Sequence, residues 1–272
     1  MNAAPPASRA FADTSMSAAA IFRKTLDAGT SILSTGVYDC VSAICAERAG
    51  FKSISISGAA GAASRLGYPD VGLLTLTEAV NQARHIVRSV DIPVLVDADT
   101  GSGNALNVMR TVREFEDAGV AGISIEDQTF PKRCGHYDGL SLISADDMAI
   151  KVTAACEARR DASFVIMART DARSVEGLDS AIERACLYAE RGADMIFVES
   201  LADEDEMRKV VTHVHRPLKI NMLEGGKTPR PSFTRLFDIG FRLVNYSGLL
   251  QRAAMRAMEV ALDVLQRDGV TA

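Results

Sequence analysis

The stretch Pro93-Val94-Leu95-Val96-Asp97-Ala98-Asp99 is a short apolar run that ends on two carboxylates. Residues 104–118 behind it carry helical periodicity and stop at Gly119, and Gly122-Ile123-Ser124-Ile125-Glu126 is a second apolar run closed by a carboxylate. Strand, helix and strand in that order predict parallel pairing through a right-handed crossover. Working outward, the texture repeats. Apolar runs at 32–38, 53–57, 164–169, 195–199, 218–222 and 243–246 alternate with helical stretches at 41–50, 77–90, 144–159, 178–191, 203–214, 231–239 and 249–268. Eight such units predict an α/β fold of the closed (β/α)₈ TIM-barrel type rather than an open sheet. The second unit carries a long insert before its helix. Thr75 with Glu78 reads as a capping box, and Ser144-Ala145-Asp146-Asp147 puts acids in a first turn, where the helix dipole favours them.

A chain of 272 residues suits one barrel domain over 16–272. Residues 1–15, rich in Ala, Pro and Ser, lack the apolar core of a secretory signal and read as a disordered tail. Met16 offers an alternative start. The net charge is −5 with no basic run, which argues against a nucleic-acid partner. No apolar stretch approaches the ~20 residues that cross a bilayer, so no membrane partner is expected. Five cysteines, Cys40, Cys45, Cys134, Cys156 and Cys186, lack zinc-type spacing. All but Cys134 read as buried small hydrophobes, and a reducing cytoplasm is the simplest compartment.

A barrel of this type carries its site at the C-terminal strand ends. Those ends hold Tyr38-Asp39, Ser57-Gly58, Asp97 with Asp99, Glu126, Arg169, Glu199, Asn221, and Asn245 with Ser247. Such a ring points to a polar substrate. Asp97 and Asp99, two apart in a strand, are expected to leave one face. With Glu126 they suit a hard cation, Mg²⁺; the alternative is a carboxylate pair neutralised by Arg169 or Lys132. Arg169 offers a fork for a substrate carboxylate.

Lys132-Arg133-Cys134-Gly135-His136 places a thiol among cations, which predicts a lowered thiol pKa and proton exchange with a carbon acid. Zinc ligation, nucleophilic attack and a merely structural loop are the competing readings. Gly135 permits close approach of backbone to ligand, and the loop over about 129–141 is long enough for a lid. The turn Glu224-Gly225-Gly226-Lys227-Thr228-Pro229 lacks Walker spacing and reads first as a plain loop. His85, His213 and His215 fall in or near helical stretches, as surface or packing residues.

The segments Asp97-Ala98-Asp99-Thr100-Gly101-Ser102-Gly103, Ile125-Glu126-Asp127-Gln128, Lys132 to His136, and Ala168-Arg169-Thr170-Asp171 together resemble the isocitrate lyase / phosphoenolpyruvate mutase superfamily, over about residues 20–268. The resemblance implies a Mg²⁺-dependent barrel, with Mn²⁺ as the alternative ion, acting on 2-oxo or 2-hydroxy carboxylates. It also implies a last helix swapped between subunits and a homotetramer built as a dimer of swapped dimers. Carried over, Asp97 and Asp99 bind the metal, one of them through water, and Glu126 and Asp70 support its shell. Ser57, Gly58 and Ala59 hold the 2-oxo-acid end. Cys134 is the general acid, with Lys132 and His136 as charged neighbours, and Gly135, Arg169, Glu199 and Asn221 line the pocket. The implied reaction cleaves a C2–C3 bond, with Tyr38 or a metal-bound water as base. The Cys134-Gly135-His136 triplet resembles the carbon–carbon lyase branch, including 2-methylisocitrate lyase, 2,3-dimethylmalate lyase and petal-death-type lyases. Phosphonopyruvate-forming mutases and oxaloacetate decarboxylases usually lack it, although the helix start at 104–112 is similar to the decarboxylases. The stretches 65–70 and 221–229 resemble the petal-death type most, which raises the substrate-contact reading of the turn at 224–229. Ser247 is similar to oxaloacetate hydrolases, which give oxalate and acetate, and speaks against 2-methylisocitrate.

Overall fold

A computed structural model describes residues 16–271; the expected tail at 1–15 lies outside the described residues. The chain enters by helix α1 (Ala18–Asp27), then runs through β1 (Ile32–Val37), α2 (Cys40–Arg48), β2 (Ile54–Ile56), α3 (Gly58–Leu66), α4 (Leu76–Val87) and β3 (Val94–Asp97). It continues with α5 (Ala105–Asp117), β4 (Gly122–Glu126), α6 (Ala145–Ala158), β5 (Val165–Thr170), α7 (Ala172–Val175), α8 (Leu178–Glu190) and β6 (Met195–Val198). α9 (Glu204–His213), β7 (Leu218–Met222), α10 (Phe233–Ile239), β8 (Leu243–Tyr246) and α11 (Leu249–Asp268) complete it. The strands pair in chain order, all parallel, and β8 closes on β1 with Ile32 opposite Leu243.

Alternation along each strand separates two apolar layers. Val94, Val96, Ile123 and Ile125 point outward into the main core under the helices. Leu95, Val165, Met167, Met195, Phe197 and Leu243 fill the barrel interior together with Phe22 and Leu26 of α1. Helix α1 therefore plugs the N-terminal mouth, leaving the C-terminal mouth for chemistry. The Thr75–Glu78 capping box forms, with Thr75 N–H donating to Glu78 Oε2 at 2.9 Å, and Ser144 caps α6.

Three helices, α1, α3 and α7, were not expected. Helix α3 lies inside the insert of the second unit; its Gly-Ala-Ala-Gly-Ala-Ala start offers no apolar–polar contrast from which a period could be read. The cysteine expectation also fails. Cys45 is exposed and Cys40, Cys156 and Cys186 are half-buried, because they sit on helix flanks rather than on the faces turned to the barrel. All five thiols are free.

Candidate active site

A cavity of about 510 Å³ opens at the C-terminal mouth, bounded by Ser57, Asp97, Cys134, Arg169, Glu199 and Ser247, among others. A second cavity of about 570 Å³, at the opposite end beside α1, holds none of the carboxylate cluster.

The two aspartates reach the mouth differently from the expectation. Strand β3 ends at Asp97, and Asp99 lies beyond it with φ +50°, so the two do not share a strand face. The turn is held by β4: Ala98 N–H donates to the Ser124 carbonyl and Glu126 N–H to that of Asp99, each at 2.9 Å. Both carboxylates still converge on Gly58. A methyl group there would meet Asp97 Oδ2 at 3.2 Å and Asp99 Oδ1 at 3.3 Å. Gly58 and Ala59 form the first turn of α3, capped by Ser57 Oγ, which accepts from Ala60 N–H at 3.3 Å. Free N–H groups of such a turn attract anions.

Lys132 does not serve the thiol. Its ammonium lies 2.7 Å from Asp70 Oδ1 and 2.6 Å from Asp99 Oδ1. Arg133 turns away to the Asp138 carbonyl at 3.5 Å. The expected drop in the thiol pKa is therefore overturned: burial pushes Cys134 up to about 11, and the charge of Asp70 adds to it, while the His136 backbone and Arg169 offset only part. Burial also raises Asp99, to about 6, with repulsion from Asp97 and Asp70 working against Lys132. Asp97 feels the same burial, but Lys132, Arg169 and Lys219 outweigh it and hold it below the ordinary carboxylate value.

Arg169 is likewise not a free fork. Nε and Nη2 engage Asp171 at 3.0 and 2.8 Å, Nη1 lies 3.2 Å from Glu126, and Nη2 lies 3.5 Å from Glu199. Gly135 sits directly on this group: a methyl there would be 2.4 Å from Arg169 Nη2 and 2.5 Å from Asp171 Oδ1. The close approach expected of Gly135 is thus to protein as well as to the cavity. His136 lies between Glu199, with Nε2 3.6 Å from Oε1, and the turn at 224–229, where Lys227 N–H donates to Nδ1 at 3.1 Å. Lys227 Nζ reaches Asp138 at 2.9 Å, and Leu223 and Gly225 line the cavity, so that turn is part of the site wall. Asn245 donates to Asn221 Oδ1 at 3.1 Å. Tyr38 is not among the lining residues, and burial raises its phenol, which leaves less phenolate to act as a base.

The sequence reading missed several residues here. Arg252 and Gln251 of α11 line the cavity. Lys219 lies inside the barrel on β7, two residues before Asn221; that spacing puts both on one face and was the available signal. Asp127 is buried behind Glu126 and accepts from Thr170, the Asp171 backbone and Tyr188 at 2.7, 2.9 and 2.9 Å. It thereby fixes the ledge that carries Asp171.

The profile of the phosphoenolpyruvate phosphomutase family matches residues 22–265. The chain belongs to the isocitrate lyase / phosphoenolpyruvate mutase superfamily. Among its relatives, 2,3-dimethylmalate lyase of Eubacterium barkeri is 43% identical over 94% of this chain and 89% of the relative. The 2-methylisocitrate lyase of Aeropyrum pernix is 46% identical over 92% and 80%. Oxaloacetate acetylhydrolase bound to 3,3-difluorooxalacetate superposes with a TM-score of 0.91 at 34% identity, over 94% of this chain and 88% of that one. Phosphonopyruvate hydrolase bound to oxalate and Mg²⁺ superposes with a TM-score of 0.83 at 31% identity, over 93% and 88%. This superfamily member is an enzyme of the lyase branch.

The donor set fits a magnesium-type ion. Asp70, Asp97, Asp99, Glu126, Asp171 and Glu199 outnumber Lys132, Arg169 and Lys219, and Glu126 Oε1 is buried without a hydrogen-bond partner. Among the described residues no three His, Cys, Asp or Glu side chains are gathered so as to hold a metal by themselves, so an ion here would rest on few carboxylates and on water.

Proposed function

We propose that the protein is a Mg²⁺-dependent lyase, Mn²⁺ being the alternative ion, that cleaves the C2–C3 bond of a 2-alkylmalate or methylisocitrate-like acid. The carrying observation is a thiol kept protonated by burial at the edge of a carboxylate-lined cavity. Asp97 would hold the metal, with Asp99, Glu126 and Asp70 acting through its waters. When bound, the ion polarises the 2-oxygen as it becomes a carbonyl. The first turn of α3, from Ser57 through Ala59, receives the carboxylate of the 2-oxo-acid end. Arg169, Gly135, Glu199, Asn221 and Ser247 bound the reacting centre. Lys132 keeps Asp70 and Asp99 in place. Cys134 delivers its proton to the carbon of the departing enolate-like fragment, and the proton given up by the 2-hydroxyl restores the thiol, a role that requires the thiol rather than the thiolate. His136, two residues from Cys134, is pinned between Glu199 and Lys227.

A panel of 2-hydroxy and 2-oxo diacids with Mg²⁺, read by product mass, tests this. A 2-oxo acid released from alkylmalates or methylisocitrate is expected, and Cys134→Ala is expected to lower kcat by ~10²–10⁴. Undiminished cleavage by that variant sinks the role of Cys134. Ser247 in the cavity wall favours a second reading, hydrolysis of oxaloacetate, which the same panel reports as oxalate and acetate. We propose a cytoplasmic enzyme and, as the family resemblance implies, a helix-swapped tetramer. Among the described residues no helix is long and apolar enough to cross a membrane.

A further inference from the structure

Lys219 is a second buried cation of a different kind from Lys132. Among the described residues no carboxylate lies within ion-pair distance of it, whereas Lys132 has two. Its ammonium instead stands 4.8 Å from the centre of the Phe197 ring, and the guanidinium carbon of Arg169 stands 5.3 Å from the same ring. The electron-rich faces of an aromatic ring attract cations, so Phe197 supports the two charges under the mouth. A narrow cavity of about 40 Å³ is shared by Lys219, Asp97, Asn221 and Asn245. Burial lowers the pKa of Lys219, while Asp97 and Glu199 act to keep it charged. In return its charge is one of the three that hold Asp97 ionised. Asp97, half-buried in the mouth, thus has the Lys219 ammonium on the barrel-interior side and its approach on the cavity side.

We propose that Lys219 is a built-in counter-cation that weakens divalent-metal binding at Asp97 until a carboxylate substrate joins the ion. The inference rests on the metal assignment proposed above. A metal arriving from the cavity shares Asp97 with Lys219 and is repelled by it. A substrate that brings its own negative charge restores the balance, so metal and substrate bind with positive coupling. Lys132 also acts on Asp97, but its ammonium is already paired with Asp70 and Asp99, whereas Lys219 has no such partner among the described residues.

The test is calorimetric titration of Mg²⁺ into wild type, Lys219→Met, Lys219→Gln and Asp97→Asn, each with and without oxalate. Removal of one unit charge beside a divalent ion is expected to tighten the metal Kd roughly tenfold in both Lys219 variants. Oxalate is expected to tighten it strongly in wild type and much less in those variants. Two neutral replacements guard against a local packing defect in either one. An Asp97-dependent wild-type site whose Kd moves less than twofold in both variants overturns the role of Lys219 alone. Wild-type binding that Asp97→Asn leaves unweakened overturns the metal assignment and this inference with it.

Discussion

Lys132 Nζ lies 2.6 Å from Asp99 Oδ1, with the lysine side chain 1% exposed. That ion pair, with Asp70 on its other side, is the electrostatic keystone of the mouth. Its lysine is held well above the ordinary value because Asp99, Glu126, Asp70 and Asp97 together outweigh the effect of burial. A raised lysine stabilises the fold at all pH below its ordinary value and loses that contribution only as pH rises through the folded value.

Lys132→Met is therefore expected to destabilise the protein by about 3–5 kcal/mol near neutral pH, the usual consequence of stranding a buried charge partner. The cost depends on pH. Without the ammonium, the Asp99 carboxylate is raised further, so its penalty is present at pH 8 and relieved as acid protonates it. Urea unfolding of wild type and variant at pH 8 and pH 5 measures this. The stability gap narrows at pH 5; an equal gap at both pH values contradicts the assignment.

Cys134 makes an opposite prediction to the one its flanking residues suggest. With a thiol near pH 11, the thiolate is roughly one part in a thousand at pH 8. Carboxamidomethylation of the Cys134 peptide, followed by mass, should be slow at pH 8 and climb toward pH 11. Cys45, which is exposed, serves as the internal control, and Cys156, which burial also pushes up to about 11, is expected to lag with Cys134. A half-rise below pH 9 would show that the neighbouring cations govern this thiol after all.

The contrast shows what a linear reading can and cannot supply. Barrel class, strand phasing and helix starts were legible because period, caps and glycine stops are local. β3, β4, β7 and β8 begin and end where the apolar runs do. Charge partners were legible only in part: Lys132 as a neutraliser of the aspartate pair was an open alternative, but most partners are tertiary. Lys132 neighbours Cys134 in sequence yet spends its charge on Asp70, which lies 62 positions away, and on Asp99. Arg169 offered a free fork on paper and is taken by Asp171, two residues on. Helix α3, whose first turn faces the substrate cavity, was invisible because alanine and glycine leave no amphipathic trace.

Gly135→Ala separates positioning from folding. The added methyl would fall 2.4 Å from Arg169 Nη2 and 2.6 Å from Glu199 Cγ, so the cysteine loop must lift. A misplacement of about 1 Å costs on the order of 10²-fold in rate. The expected result is a kcat lowered by about that factor with Tm little changed, since the loop lies over the mouth rather than in the core. Wild-type kcat in this variant would mean that the loop does not need its seat on Arg169.

The last helix carries the final prediction. α11 has twenty residues and none is buried, although Met255, Met258, Leu262 and Leu265 recur at spacings of three and four. Such a stripe is the seam by which one helix packs on another. Leaving it in water would waste the burial of side chains each worth about 1.5–3 kcal/mol. We expect it to pack on a second copy of the chain; Arg252 and Gln251 at the start of the same helix line the substrate cavity, so loss of that packing is expected to disturb the site. Met258→Glu combined with Leu262→Glu should shift light-scattering mass from tetramer toward monomer and lower kcat/KM together. A wild-type protein that runs as a monomer at micromolar concentration, or a double variant that stays assembled and active, would leave this helix without its partner.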